Sequence, residues 1–169
     1  MILTRGKIII IAIFVAIVAG LFGMIAFTDL EAERFGPQIE ISVADVSLKE
    51  FDKEENKMMI EVDFVVFNKA KKTLTLSKID YNLYANEKFL GTGYYSLENA
   101  PLVGRAPLFP DSSTTLQSTF NLRYSDDLKD VWNLLASNTE NNSIAWRAKG
   151  VAEIESAFSI IPVSFESSI

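Results

Sequence analysis

The residues best suited to chemistry in this sequence are carboxylates and hydroxyls, because two of the usual reactive types are missing. There is no histidine and no cysteine. That removes the imidazole base, the thiolate nucleophile, the disulfide and the Cys/His zinc site. Glu50, Asp52, Glu54 and Glu55 bring carboxylates together in a short stretch, and carboxylate oxygens are what calcium takes. Lys53 and Lys57 interleave with them, and no glycine supplies the sharp turn of a calcium loop, so the stretch reads as a solvated hairpin turn. Asp111, Ser112 and Ser113 set hydroxyls beside a carboxylate. A serine nucleophile needs a base, and no Ser-x-x-Lys occurs to provide one, so a loop-to-strand turn is the better reading. Trp132 and Trp146 have the faces of a ligand groove, but the apolar spacing around them places both in a core. No catalytic group, metal site or cofactor site is expected, and the chain reads as a non-enzyme.

What must position any other activity is the run 8–27, IIIIAIFVAIVAGLFGMIAF, which has no charge, amide or proline. Twenty residues at about 1.5 Å each span about 30 Å, the hydrocarbon thickness of a bilayer. Ile8, Phe14, Leu21 and Phe27 lie along this expected membrane anchor, which lacks the polar face of a buried core helix. Ala12, Ala16 and Gly20 recur every fourth residue, a small-residue ridge suited to helix–helix packing. Arg5 and Lys7 precede the run, whereas Asp29, Glu31 and Glu33 follow it with Arg34 as the one nearby base. The positive-inside rule therefore puts residues 1–7 in the cytoplasm and the rest outside, as a single-pass cell-membrane protein. Two processing routes compete with a retained anchor: cleavage after Val18-Ala19-Gly20, or prepilin-type cleavage after Gly6. Residues 28–36 are a linker, extending the helix before Gly36-Pro37 breaks it, and 37–169 form the domain.

All 22 acidic residues follow Phe27 with 14 of the 16 basic ones, so residues 28–169 carry a formal −8. Such a balance argues against nucleic acid as a partner and against tight docking on anionic headgroups. From Pro37 on the dominant period is two, the mark of half-buried strands. Ile39, Ile41 and Val43 alternate, then the phase changes to Val46 and Leu48, which predicts a bulge near Ala44-Asp45. Residues 58–68 point Ile60, Val62, Phe64 and Val66 one way and carry apolar residues on the other face, which predicts a central strand. A third strand covers 73–85, Asn86-Glu87 is a tight turn, and 89–96 is a strand in which Gly91 and Gly93 mark close backbone approach. Residues 101–111, with three prolines, are expected to be an extended crossing loop. Residues 114–123 alternate cleanly, with Leu116, Ser118, Phe120 and Leu122 on one face. Ser125 is placed to cap one helix, over 126–136, that buries Leu128, Val131, Trp132 and Leu135. Asn138 to Ser143 form a polar loop in which Asn141 heads a glycosylation acceptor. Strands over 144–154 and 158–165 follow, the last assigned to an edge by Pro162. About seven short strands without a βαβ rhythm make an antiparallel β-sandwich, mainly β, with one helix at an end or over an open side.

Residues 58–93, in particular FVVFNKAKKTLTLSKIDYNLYANEKFLGTG, resemble the centre of the LEA type 2 family (LEA14-like, the water-stress and hypersensitive-response domain). Asn68, Leu74, Leu76, Tyr81, Leu83, Gly91 and Gly93 sit where that family carries an asparagine-proline pair, a Leu-x-Leu segment, a Tyr-x-Leu strand and a Gly-x-Gly. Leu108-Phe109-Pro110-Asp111-Ser112 resembles the family's entry to the next strand, and residues 146–152 with Ile161-Pro162 resemble its closing hairpin. Lys69 departs from the usual proline, and Glu87-Lys88 from an Asn-Gly type turn. The resemblance covers nearly the whole domain. It implies an immunoglobulin-like or fibronectin-III-like sandwich, often behind one transmembrane helix, a loose association with desiccation and stress response, and no enzymatic activity.

The expected function is a non-catalytic, membrane-tethered extracytoplasmic domain with a protective or interaction role. Its expected partners are the bilayer, through the anchor, and a protein at the membrane or envelope. Two other classes stay open: a lipid- or apolar-ligand-binding module beneath the 126–136 helix, and a pilin-like or archaellum-type envelope subunit.

Overall fold

The computed structural model describes residues 5–96, 106–137, 144–157 and 159–169. One helix, α1 (Arg5–Phe35), runs through the apolar stretch and on into the charged one without interruption. Gly36-Pro37 ends it as expected, opening a single 3-10 turn (Gly36–Gln38) that delivers the chain into the first strand. The most apolar window of α1 has a mean hydropathy of 3.0 and none of it is buried against the protein. The helix is therefore long and apolar enough to cross a membrane as an anchor or a signal sequence.

The strands are β1 (Ile39–Asp52), β2 (Lys57–Asn68), β3 (Leu74–Ala85), β4 (Lys88–Ser96), β5 (Ala106–Leu108), β6 (Ser112–Arg123), β7 (Trp146–Glu155) and β8 (Ile160–Ser168). They form two sheets, β1-β2-β6 and β4-β3-β7-β8, with β5 pairing β3 beyond the end of β4. Every pairing is antiparallel, and the sheets face each other as a mainly β sandwich. β2 is central, as its two-sided apolar pattern requires. β8 is an edge, where Pro162 leaves no ladder bond unmade.

The inner faces interleave the buried members of each period-two pattern. Phe64 is fully buried, its ring edge-on to Tyr81 at 4.9 Å and to Phe165 at 5.7 Å between centroids. Ser118, a polar residue on an inner face, is buried within reach of the Tyr81 hydroxyl at 2.9 Å. Burial pushes the Tyr81 phenol up to about 12. The β1 register shifts between Val43 and Asp45, where the phase change in the sequence calls for a bulge.

Several expectations need correction. Among the described residues there are eight strands, because Ala106-Pro107-Leu108 pairs with Leu76-Thr75-Leu74 inside the proline-rich crossing. Pro107 is tolerated there because β5 lies at a sheet edge. β1 continues to Asp52 and β2 starts at Lys57, so Glu50 and Asp52 lie on a strand and the charged turn is confined to residues 53–56. Ser125 makes no side-chain cap; residues 126–128 form a 3-10 turn ahead of α2 (Lys129–Ala136). The helix still buries Leu128, Val131, Trp132 and Leu135, and Trp132 packs edge-on against Phe51 and Tyr124. α2 thus closes the end of the sandwich where β1 finishes, the opposite end from α1.

Candidate functional site at the helix–sandwich junction

Among the described residues, the sandwich meets α1 at the end where β1 begins. Phe35, the last helical residue, is buried, and Ala32 packs one turn before it. Two cations lie over the Phe35 ring: Arg34 and Lys72, each 5.2 Å from its centroid. One turn earlier, Glu31 reaches the β7–β8 turn and accepts hydrogen bonds from the hydroxyls of Ser156 and Ser159, while Lys72 Nζ stands 3.5 Å from its other oxygen. These hydroxyls and the Lys72 charge hold the Glu31 carboxyl below its ordinary value of 4.5 despite its burial.

The chain after β2 is folded to serve this junction. Asn68 is fully buried; its amide nitrogen donates to the Lys72 and Leu108 carbonyls, and its Oδ1 accepts from the Ala70 amide. That locks the 69–72 loop. Gln38 Nε2 donates to the Arg34 carbonyl at 2.6 Å and covers the end of α1. The Lys69 amide donates to the Gln38 carbonyl at 2.8 Å. A proline has no N–H to make that bond, so the departure from the family pattern at this position contributes a contact to the helix exit. Between the last helical turn and the 69–72 loop is an open cleft of about 450 Å³. Among the described residues its charged lining is Glu31, Arg34, Lys69, Lys71 and Lys72, four cations against one carboxylate.

The depressed Glu31 pKa gives the junction a pH dependence. A carboxyl whose pKa is lowered on docking contributes stability above its free value, and loses it as the pH falls through the docked one. Amides 29–36 and 38 should therefore be protected from hydrogen exchange at pH 7, and lose protection beyond the intrinsic rate change as the pH drops below about 4.5. Glu31→Gln should be poorly protected at pH 7 already and insensitive to that drop. Equal protection in both proteins would mean that Phe35 alone docks the helix.

The residues singled out by type fall elsewhere. Phe14, Leu21 and Phe27 are exposed on α1; Ile8 lies in the same helix, but its side chain is outside the described residues. Ala12, Ala16 and Gly20 are exposed along the helix, and Gly20 has no atom within 4 Å of where a Cβ would sit. Asn141 lies outside the described residues. Asp52 accepts the Glu54 and Glu55 amides and shapes its own hairpin turn. Asp111 has a left-handed φ of 51°, and Ser112 donates to the Phe109 carbonyl, which is turn geometry. Both tryptophans are buried. Sequence reasoning missed Glu31, Lys72, Ser156 and Ser159 as a group. The available signal was Ala32 and Phe35, a small apolar stripe reappearing among charges one turn apart.

No protein-family model matches the chain, and no curated protein sequence matches it. Solved structures do. The Arabidopsis thaliana protein AT1g01470 is 17% identical, with a TM-score of 0.51 over 77% of this chain and 80% of that one. A late embryogenesis abundant (LEA) protein, At2g46140.1, is 14% identical with a TM-score of 0.44 over 95% and 86% of the two chains. A protein from Archaeoglobus fulgidus is 18% identical with a TM-score of 0.45 over 76% and 94%. At 17% identity, the likeness to AT1g01470 is one of fold: this chain carries the same kind of β-sandwich behind its apolar helix.

Proposed function

We propose that the chain is a LEA type 2-like β-sandwich tethered to the outer face of the cell membrane, with a non-catalytic protective or interaction role in stress. The observation that carries the tether is the continuity of α1, one unbroken helix from the apolar run into the Glu31 hydrogen bonds and the buried Phe35. From Phe27 to Phe35 is about 12 Å along a helix, so a membrane-spanning α1 would hold the sandwich directly on the headgroup layer. Its orientation would be set by the junction contacts instead of a slack linker. Arg5 and Lys7 before the run, against Asp29, Glu31 and Glu33 after it, support an outward domain.

The family part rests on residues that work as a set. Tyr81 pairs in register with Gly93 on one side and Gly150 on the other. A Cβ at Gly93 would lie 2.4 Å from the Tyr81 ring, so the tyrosine of the Tyr-x-Leu strand requires a glycine across from it. Asn68 organises the loop that follows it. Motif positions that depend on one another in packing favour kinship over coincidence of short apolar words.

Topology is tested by tagging each end of the chain and adding protease to intact cells. The C-terminal tag should be digested and the N-terminal one spared. The reverse pattern, or loss of neither tag with a sealed membrane, would sink the outward orientation.

A further inference from the structure

The formal −8 of residues 28–169 is not evenly spread. The end of the sandwich that meets α1 gathers Arg34, Lys69, Lys71 and Lys72 around one cleft, with Glu31 the sole acidic residue in its lining among the described residues. Glu31 is already engaged by Ser156, Ser159 and Lys72, and Lys69 is paired with Glu40. Arg34 and Lys71 are exposed, and among the described residues neither has a carboxylate partner. At about 100° per residue, Asp29 and Glu33 fall on the helix face opposite Glu31, so they do not neutralise the cleft.

The level of this cleft along α1 identifies what it meets. Glu31 is four residues past Phe27, about 6 Å beyond the end of the apolar run. The polar layer on each side of a bilayer's hydrocarbon core is about 5–8 Å deep. With α1 inserted, the Glu31–Lys72 pair lies at the depth of lipid phosphates, and the Arg34 and Lys71 side chains are long enough to reach that layer. An anion at that depth also removes the cost of holding unpaired cations together over a mostly acidic protein.

We propose that the cleft between the last turn of α1 and the 69–72 loop binds the phosphate of an anionic phospholipid of the same leaflet. Arg34 and Lys71 ligate it, and Lys72, shared with Glu31, ties the lipid to the docked helix. The site rests on reading α1 as a membrane anchor. The bulk negative charge of the domain still repels a membrane at long range. The cleft acts within a Debye length, where local sign decides.

The full chain, reconstituted into nanodiscs of equimolar phosphatidylcholine and phosphatidylglycerol, should retain phosphatidylglycerol selectively when released for native mass spectrometry. Arg34→Gln and Lys71→Gln should each lower that preference about fivefold, and the pair about 25-fold. Arg34→Lys with Lys71→Arg should keep it, and added salt should weaken it. Both positions are exposed, so misfolding is not expected to confuse the result, and the far-ultraviolet spectrum checks this. An unchanged preference in the doubly neutralised chain would overturn the cleft as the site. Displacement of the lipid by millimolar glycerol 3-phosphate would overturn the lipid as the ligand and assign the site to a soluble phosphate. A chain that enters the discs without preference overturns this inference alone, whereas one that fails to enter overturns the anchor reading with it.

Discussion

Phe64→Ala should destabilise the sandwich by about 3–5 kcal/mol. Phe64 has no exposed surface, and its ring bridges the sheets, touching Tyr81 of β3 and Phe165 of β8 edge-on. Truncation removes the apolar area and leaves a void between the two sheets. Tyr81 is further held by its hydroxyl contact with Ser118, so the cavity should persist instead of collapsing. Urea denaturation of the segment 35–169 measures the loss, with Val65→Ala as control. Val65 is the next residue on the half-exposed outer face of β2, and its truncation should cost about 1 kcal/mol or less. A loss below that level at Phe64, or equal losses at both, would mean the facing of β2 is wrong.

Gly150→Ala should cost about 3 kcal/mol or more, for a different reason. A Cβ at Gly150 would stand 2.0 Å from the Asp80 carbonyl oxygen and 2.8 Å from the Tyr81 Cα. Those are backbone atoms of β3, which is hydrogen-bonded to β4 on one side and β7 on the other. The clash cannot be relieved by rotating a side chain; a ladder in the middle of the five-stranded sheet has to open. At Gly93 the obstacle is the Tyr81 ring instead, so Gly93→Ala should be the milder of the two. Thermal unfolding of both variants decides. Should Gly93→Ala prove the more damaging, the ring of Tyr81 is less free to shift than the β3 backbone. A Gly150→Ala protein as stable as wild type would refute the close approach itself.

These predictions bear on function through rigidity. A tethered domain presents a defined surface only if the helix exit and the sandwich move together, and the junction at Glu31 and Phe35 joins them. The proposed phospholipid site would add a second attachment at the same end, leaving the α2 end and the β1–β2 hairpin facing away from the bilayer.

The strand pattern was legible because it is local. A period of two over 39–48, 58–68 and 114–123 follows from one face being buried and one solvated, and a single phase change marked the bulge at Val43/Asp45. The apolar run declared its helix by length, and Gly36-Pro37 declared its end. Gly91 and Gly93 announced close approach, because a strand otherwise gains from side chains. The helix 126–136 had the right buried face, although its start was misjudged: a serine before two aspartates satisfies the capping pattern without forming the bond.

What only the tertiary structure decided are the contacts between residues distant in sequence. Glu31 reads as one more charge after an anchor until Ser156 and Ser159, more than a hundred residues later, close on it. Lys71 and Arg34 belong to an acidic chain by composition, yet the fold places them in a cationic cleft. Ala106 to Leu108 is too short and too proline-bound to read as a strand, and becomes one because β3 offers a free edge there. Gly150 reads as one more position in its strand until its pairing with Tyr81 leaves no room for a Cβ. Periodicity records which way each side chain faces, because the neighbouring residues fix that. It carries no information on which distant backbone or charge will stand opposite, since that is set by how the two sheets and the helix pack together.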